Sequence, residues 1–486
     1  MASVSVAEIH FYRTMSTFRL LTGTLQTAIS AKIVLALFAI LLIATNPFMG
    51  VVSFSEMNHQ ESYAQGAAQK KLEVTEPVNL SNNIKDSVYA QIASHEKNVY
   101  MVWQENDPDS QDKQGYSQYD NKRNYDILIK KSTDGGLTFG KQINLSNNRG
   151  FSEHPQIAVS GDTVHVAWID NTLSKTKDVL YQKSTDGGAT FSEVTNLSNG
   201  TDADSDNLEI AVAGNNVYAV WQETGLQIVD YQDLKDAGPT NNNSIVGTLS
   251  NSSISVRSSN DDGNTFKDTL TLSNNAFKSY PKVSAFENSA YVVWNVGIIS
   301  ADANSINSVR NNTDDGIFFA RTLDEGSTFS DSKRLNKEVN SIGESQIASQ
   351  GNNIYVVWGG NPDDKVVGDL IFTKSIDGGE SFSNPLTLEE GNTLNVEVAT
   401  VRDNTVYVAW QAHVSNNNEE ILIKKSSDAG TTFFDGYLNI SNNVGISECT
   451  SISVSDDNTV YLAWEDDTYG NHEILFAKSF QNIPMT

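Results

Sequence analysis

Seven short runs, each β-branched or aromatic and each ending in tryptophan, dominate what this chain can become. They are Val-Tyr-Met-Val-Trp103, Val-His-Val-Ala-Trp168, Val-Tyr-Ala-Val-Trp221, Ala-Tyr-Val-Val-Trp294, Ile-Tyr-Val-Val-Trp358, Val-Tyr-Val-Ala-Trp410 and Val-Tyr-Leu-Ala-Trp464, and they use all 7 tryptophans. Six are followed by a second pattern: STDGGLTF (132–139), STDGGATF (184–191), SNDDGNTF (259–266), TLDEGSTF (322–329), SIDGGESF (375–382) and SSDAGTTF (426–433). Self-similarity at this period marks an array of repeats rather than one irregular core.

Each unit reads as four short strands. In the second, Gln156–Ser160, Thr163–Trp168, Asp178–Ser184 and Phe191–Leu197 are β-rich runs, and across the units such runs are broken by Gly-Asp, Asn-Asn or Asp-Gly turns. No segment beyond residue 64 sustains a 3.6-residue apolar period, so the fold class is all-β. Seven four-stranded antiparallel sheets set radially make a seven-bladed β-propeller. The seventh unit stops at Lys478-Ser479-Phe480 without a fourth strand, while Leu72–Ser81 resembles Phe191–Ser198. The N-terminal strand is therefore expected to close the ring as the outer strand of the last blade. Pro77 suits an edge, where its missing N–H costs nothing.

The octapeptide is built to hold a turn. The carboxylates of Asp134, Asp186, Asp261, Asp324, Asp377 and Asp428 can accept backbone N–H groups of their own turns, and the glycine two residues on tolerates a positive φ. This pattern resembles the Asp-box, or BNR, repeats of the sialidase superfamily, over nearly all of residues 72–480. The resemblance implies boxes on the face away from the functional pocket, so they point to fold and not to activity. Sialidases proper are six-bladed, and seven units resemble the superfamily's other members more.

The 486 residues carry 33 Lys+Arg against 60 Asp+Glu, a formal net charge of −27. Nucleic acid and anionic membrane surfaces would be repelled; cations, sugars and basic surfaces remain. The single cysteine, Cys449, excludes a disulfide framework and a multi-cysteine zinc site. Residues 33–52 are uncharged and begin IVLALFAILLIA, preceded by Arg13, Arg19 and Lys32. At ~1.5 Å per residue such a stretch spans a bilayer's ~30 Å apolar core, with the N-terminus cytoplasmic. A retained transmembrane signal-anchor and a signal peptide cut after Ala64 are both compatible with it. The expected organisation is a cytoplasmic segment (1–32), the apolar segment (33–52), a linker (53–71), the propeller (72–480) and a tail (481–486), with the propeller extracytoplasmic, tethered or secreted.

Spacing separates the two faces. From each box aspartate to the next tryptophan there are 33 to 36 residues; from each tryptophan to the following box aspartate there are 18 to 40. The large insertions, Asn106–Tyr125, Glu223–Ser253 and Asn295–Asp315, thus all fall between the second and third strands, and insertions gathered on one face mark a binding surface. On that face, aligning the fourth-to-first strand junctions gives a ring of Tyr89, His154, Asn207, Tyr280, Glu344, Asn395 and Cys449. A second ring is Gln91, Gln156, Glu209, Lys282, Gln346, Glu397 and Ser451. Tyr89, His154, Asn207, Glu209, Tyr280, Glu344 and Glu397 are the candidate ligand-binding residues; a solvated channel rim is the plainer alternative.

The resemblance would imply, for a sialidase, three arginines clamping the substrate carboxylate, a Tyr–Glu nucleophile pair and an Asp acid/base. The Arg-Ile-Pro motif that usually carries the first arginine is missing, and on the variable face only Arg123, Arg149 and Arg310 are candidates. Asp202, Asp204 and Asp206 alternate as in the first half of a calcium loop, but Ala213 stands where the closing Glu belongs. Asn79, Asn144 and Asn196 open Asn-Leu-Ser sequons at one repeat position, and Asn242, Asn251 and Asn311 open others in the long loops. The reading is an exported module that binds a glycan or a cell-surface protein. A sialidase-like hydrolase and a structural envelope component are the alternatives.

Overall fold

A computed structural model describes residues 72–106, 125–148, 150–174, 176–199, 203–227, 249–273, 280–296, 316–336, 341–360, 368–402, 404–415 and 418–479. The N-terminal segments, the tail, Arg123, Arg149, Arg310, Asp202 and most of the three long insertions lie outside these residues. Among the described residues no helix is long and apolar enough to cross a membrane.

Every strand pair is antiparallel, and the first four-stranded sheet sets the pattern: Ser87–His95, Asn98–Asn106, Tyr125–Ser132 and Ile143–Asn144, in sequence order from inside to outside. The run before each tryptophan forms the second strand, and its alternate side chains serve two different cores. Val99, Met101 and Trp103 face one neighbouring sheet, and Tyr100 and Val102 face the other. That double burial is why these runs are continuously apolar instead of alternating with polar residues. Seven hydrophobic clusters result, each shared by two consecutive repeats and the last shared by the seventh and the first. All seven tryptophans are at most 1% exposed, and truncating any one to alanine would cost about 3–5 kcal/mol.

Three details differ from the sequence reading. The fourth strand of the second repeat is Thr195–Asn196 alone, far shorter than Phe191–Leu197, because Phe191 is spent on packing against the preceding sheet. The fifth and sixth repeats share a single seven-stranded sheet, since Leu386–Thr400 runs as one 15-residue strand. Its first part pairs with Gly368–Ser375 and its second with Val406–Ser415; the chain turns between them at Gly391 and Asn392, both with positive φ. In the third repeat, pairing continues out to Gln227 and Leu249, so the base of that insertion is a ladder and not a loop.

The chain start completes the last sheet. Val78 and Asn79 pair with Phe476 and Leu475, Val74 bridges Ser479, and the N–H groups of Thr75 and Leu80 donate to Lys478 and Ile474 carbonyls at 2.8 Å. Leu80 is 6% exposed and enters the cluster between the seventh and first repeats. The recurring sequon asparagines have a structural role: Asn79 Oδ1 accepts the Asn82 N–H at 2.7 Å and Asn144 Oδ1 accepts the Asn147 N–H at 2.9 Å, closing the turn after the outer strand.

The octapeptides close the turns between third and fourth strands. Asp134 Oδ1 accepts the N–H groups of Leu137 (3.0 Å) and Thr138 (2.9 Å), Thr138 Oγ1 donates to Asp134 Oδ2 (2.6 Å), and Ser132 Oγ accepts the Gly136 N–H (2.8 Å). Gly136 has φ 75°, and a Cβ there would lie 2.6 Å from the Phe476 ring of the seventh repeat. The turn therefore needs glycine for both its backbone and its neighbour. Phe139, half-buried, meets that same ring edge-on at 5.1 Å. In four repeats a lysine from the preceding sheet reaches into the next turn: Lys131 Nζ donates to Gly187 O (2.7 Å), Lys183 to Asp262 O (2.7 Å), Lys374 to Ala429 O (2.8 Å) and, across the join, Lys478 to Gly135 O (2.5 Å).

Two predictions follow from the join and the turns. Removing residues 72–81 from the mature chain strips an edge and a buried leucine, about 3–6 kcal/mol. Tm should fall by on the order of 5 °C in calorimetry, and an unchanged Tm would contradict the closure. Hydrogen bonds from the backbone and hydroxyl of Thr265, then from Ser259, hold the Asp261 carboxyl down to about 2. A carboxyl lowered on folding adds stability above its unfolded value, about 3.9, and loses it as pH falls through the folded one. Tm should therefore drop between about pH 4 and pH 2, and Asp261→Asn should make that drop shallower.

Candidate functional site

The innermost strands begin with a repeated irregularity. Pairing slips between Val88 and Gln91, Glu153 and Gln156, Asp206 and Glu209, and Glu448 and Ser451, so two residues face one, the tryptophan, on the partner strand. The first residue of each pair is left-handed: Tyr89 at φ 55°, His154 at 52°, Asn207 at 50° and Cys449 at 51°. Non-glycine residues in this region cost about 1–2 kcal/mol each, and such strain persists only where the surroundings enforce it.

The residue after three of the tryptophans supplies part of that enforcement. Gln104 Oε1 accepts the His154 N–H at 2.7 Å, Gln411 Oε1 the Cys449 N–H at 3.3 Å and Glu465 Oε1 the Tyr89 N–H at 2.6 Å. Each bond ties one repeat to the next, and the last crosses the join. In the fourth repeat Asn295 Oδ1 instead accepts from Ser345 Oγ at 2.7 Å. Sequence reasoning missed these braces, although the recurring Trp-Gln/Glu/Asn dipeptide was their visible sign.

The bulges aim their side chains at one central cavity of about 400 Å³. All seven residues of the first expected ring line it, with Gln91, Gln156, Lys282, Gln346 and Glu397 of the second. Glu209 and Ser451 do not. Glu209, expected as a ligand contact, is turned instead to Lys282, whose Nζ lies 3.1 Å from its carboxylate. Asp206, in contrast, reaches the cavity, where the His154 ring stands 3.4 Å away. Tyr89 and His154 meet edge to face at 4.6 Å.

Charge in this wall is dense and unevenly balanced. Burial alone would lower Lys282, but the carboxylates of Glu209, Glu344 and Glu397 outweigh it and raise it, so the ammonium is permanent. Burial pushes the Glu397 carboxyl up to about 8 against the attraction of Lys282, with Glu209 adding to the rise, while Gln346 donates to it at 2.8 Å. Glu465, 4% exposed, is likewise pushed up to about 8 by burial despite the Tyr89 N–H. Burial, then Cys449 and Glu465, push the Tyr89 phenol up to about 12. The Cys449 thiol is driven up by burial and by Glu465, which removes it as a nucleophile at neutral pH.

No described arginine lines the cavity. Arg257 donates to Leu197 O and Lys267 O, each at 2.9 Å, and Arg321 binds Gly378 O and Glu380, so both serve the sheets. Asp204 and Asp206 lie at the start of the strand Asp204–Ala213, and Asp204 Oδ1 accepts the Lys177 N–H at 2.9 Å. Among the described residues Glu448, Glu465 and His472 bring three possible metal-ligating atoms within 4.8 Å of one another. One of these carboxylates, Glu465, is already engaged by Tyr89.

No family model matches the chain, and no curated protein matches it. Solved structures do. A protein of unknown function from Dyadobacter fermentans aligns at 12% identity and TM-score 0.48, covering 84% of this chain and 98% of its own. A Trypanosoma rangeli sialidase mutant displaying trans-sialidase activity aligns at 12% identity and TM-score 0.45, covering 84% of this chain and 57% of its own. The leech intramolecular trans-sialidase aligns at 13% identity and TM-score 0.42, covering 84% and 93%. Each similarity concerns the fold alone.

The raised carboxyls give the site a pH signature. A carboxyl whose folded value exceeds its unfolded value, 4.5 here, adds stability that is full below the unfolded value and lost as pH rises through the folded one. The double variant Glu397→Gln/Glu465→Gln keeps the acceptor oxygens. It should match the parent in Tm near pH 4.5 and exceed it above pH 8; parallel Tm–pH curves would contradict the assignment.

Proposed function

We propose that the chain is a seven-bladed Asp-box propeller that binds a carbohydrate in its central cavity. In this reading residues 33–52 export it and hold it at the cell membrane, with the cavity presented to glycans outside. The observation that carries the reading is the convergence of two tyrosines, a histidine, two asparagines and a glutamate from six repeats on one cavity of about 400 Å³. Sugars offer C–H faces that pack on flat rings and hydroxyls that need paired donors and acceptors, which amides and carboxylates supply. The blade number is supported by the seven inter-repeat clusters. Export is supported by the charge-free apolar stretch with basic residues before it. The net charge of −27 argues against nucleic acid as a partner.

Glycoside hydrolysis is the second reading, and one observation favours it. Glu397 is held protonated up to about 8 beside other carboxylates in the same wall, the contrast an acid catalyst and its partner require.

Calorimetric titration of the full chain in detergent with a panel of neutral disaccharides is expected to give saturable binding. Tyr280→Ala and Asn395→Ala should each weaken it at least about tenfold without lowering Tm. Unchanged affinity in both variants would contradict the cavity as the site. Release of 4-methylumbelliferone from glycosides by the parent, lost in Glu397→Gln with binding retained, would favour the hydrolase.

A further inference from the structure

The cavity's charges pair off unequally. Asp206 has His154 at 3.4 Å, Glu209 has Lys282 at 3.1 Å, and Glu397 takes the Gln346 amide at 2.8 Å. Glu344 lines the same cavity and makes no hydrogen bond or ion pair with any described residue. Its charge is nevertheless felt by Tyr89 in the first repeat, Glu209 in the third, Tyr280 and Lys282 in the fourth, Glu397 in the sixth and Cys449 in the seventh. It shares that cavity with residues from all six other repeats. Lys282 attracts it from a distance but gives its hydrogen bond to Glu209.

A carboxylate in a partly enclosed cavity with no donor of its own is complementary to a ligand group that brings both N–H donors and positive charge. Tyr280 of the adjacent repeat lines the same cavity and adds a ring face that attracts a cation. An anionic sugar would meet the carboxylates of Asp206 and Glu344 with no arginine among the described lining residues to offset them, Lys282 being engaged by Glu209. We propose that the ligand is an amino sugar with a free, protonated amine, its ammonium seated on Glu344 and its ring against Tyr280 of the adjacent repeat. This rests on the carbohydrate reading above and narrows it to one chemical class.

The test is calorimetric titration of the full chain in detergent, at fixed ionic strength, with the glucosamine disaccharide and its di-N-acetylated counterpart. The free amine should bind at least about tenfold more tightly than the acetylated sugar. Glu344→Gln should abolish that preference, and Glu344→Asp should keep part of it. General attraction to a chain of net charge −27 would survive the loss of one carboxylate, so a preference undiminished in Glu344→Gln overturns the proposal. Equal or better binding of the acetylated sugar by the parent overturns it too, and leaves carbohydrate binding intact. If neither these sugars nor the neutral disaccharides bind, both readings fall.

Discussion

Burial of each sheet on both of its faces is the constraint from which the rest of this structure follows. Val99, Met101 and Trp103 point to one neighbour while Tyr100 and Val102 point to the other, so no sheet is complete without two partners. A linear stack would leave apolar faces bare at both ends; a closed circuit leaves none. The join between the seventh and first repeats is therefore as heavily made as any other. It holds the borrowed strand at Val78–Asn79, the Phe139–Phe476 contact, the Lys478 contact to Gly135 O and the Glu465 contact to the Tyr89 N–H.

The two ends of the ring then take on different work. At one end the aspartate turns satisfy themselves and are bridged by lysines, a rigid and self-sufficient arrangement with little left over for a ligand. At the other end the inner strands are bulged, and left-handed residues turn their side chains into a shared space. Strain and unpaired charge are concentrated there, as at sites that bind. The same braces that stabilise the ring, from Gln104, Gln411 and Glu465, fix the positions of His154, Cys449 and Tyr89.

Much of this could be read from the residues. The tryptophan runs and octapeptides gave the strands their order, and the resemblance of Leu72–Ser81 to an outer strand gave the join. Simple alignment of the repeats placed seven side chains around one cavity before any coordinates. What it missed was set by contacts between repeats, which a pattern within one repeat does not encode. Glu209 looked equivalent to Glu397, but Lys282 in the adjacent repeat draws it aside. Asp206 pairs with Gln222 across the sheet, a register that the acidic run Asp202–Asp206 does not announce. The lysine or arginine before five of the six octapeptides (Lys131, Lys183, Arg321, Lys374, Lys425), with Lys478 at the same place in the seventh repeat, was a legible sign of the lysine bridges. The merging of the fifth and sixth sheets had no comparable signal, because it depends on how Leu386–Thr400 turns at Gly391.

Native-state hydrogen exchange on the strand that closes the circuit tests the account most directly. In the intact chain the amides of Thr75 and Leu80, bonded to Lys478 and Ile474, should exchange far more slowly than in an unstructured peptide. They should gain or lose protection together with Val460–Asp466 as denaturant is added. Exchange of Thr75 and Leu80 at unstructured rates, while Val460–Asp466 stays protected, would contradict a closed ring and with it the placement of the cavity.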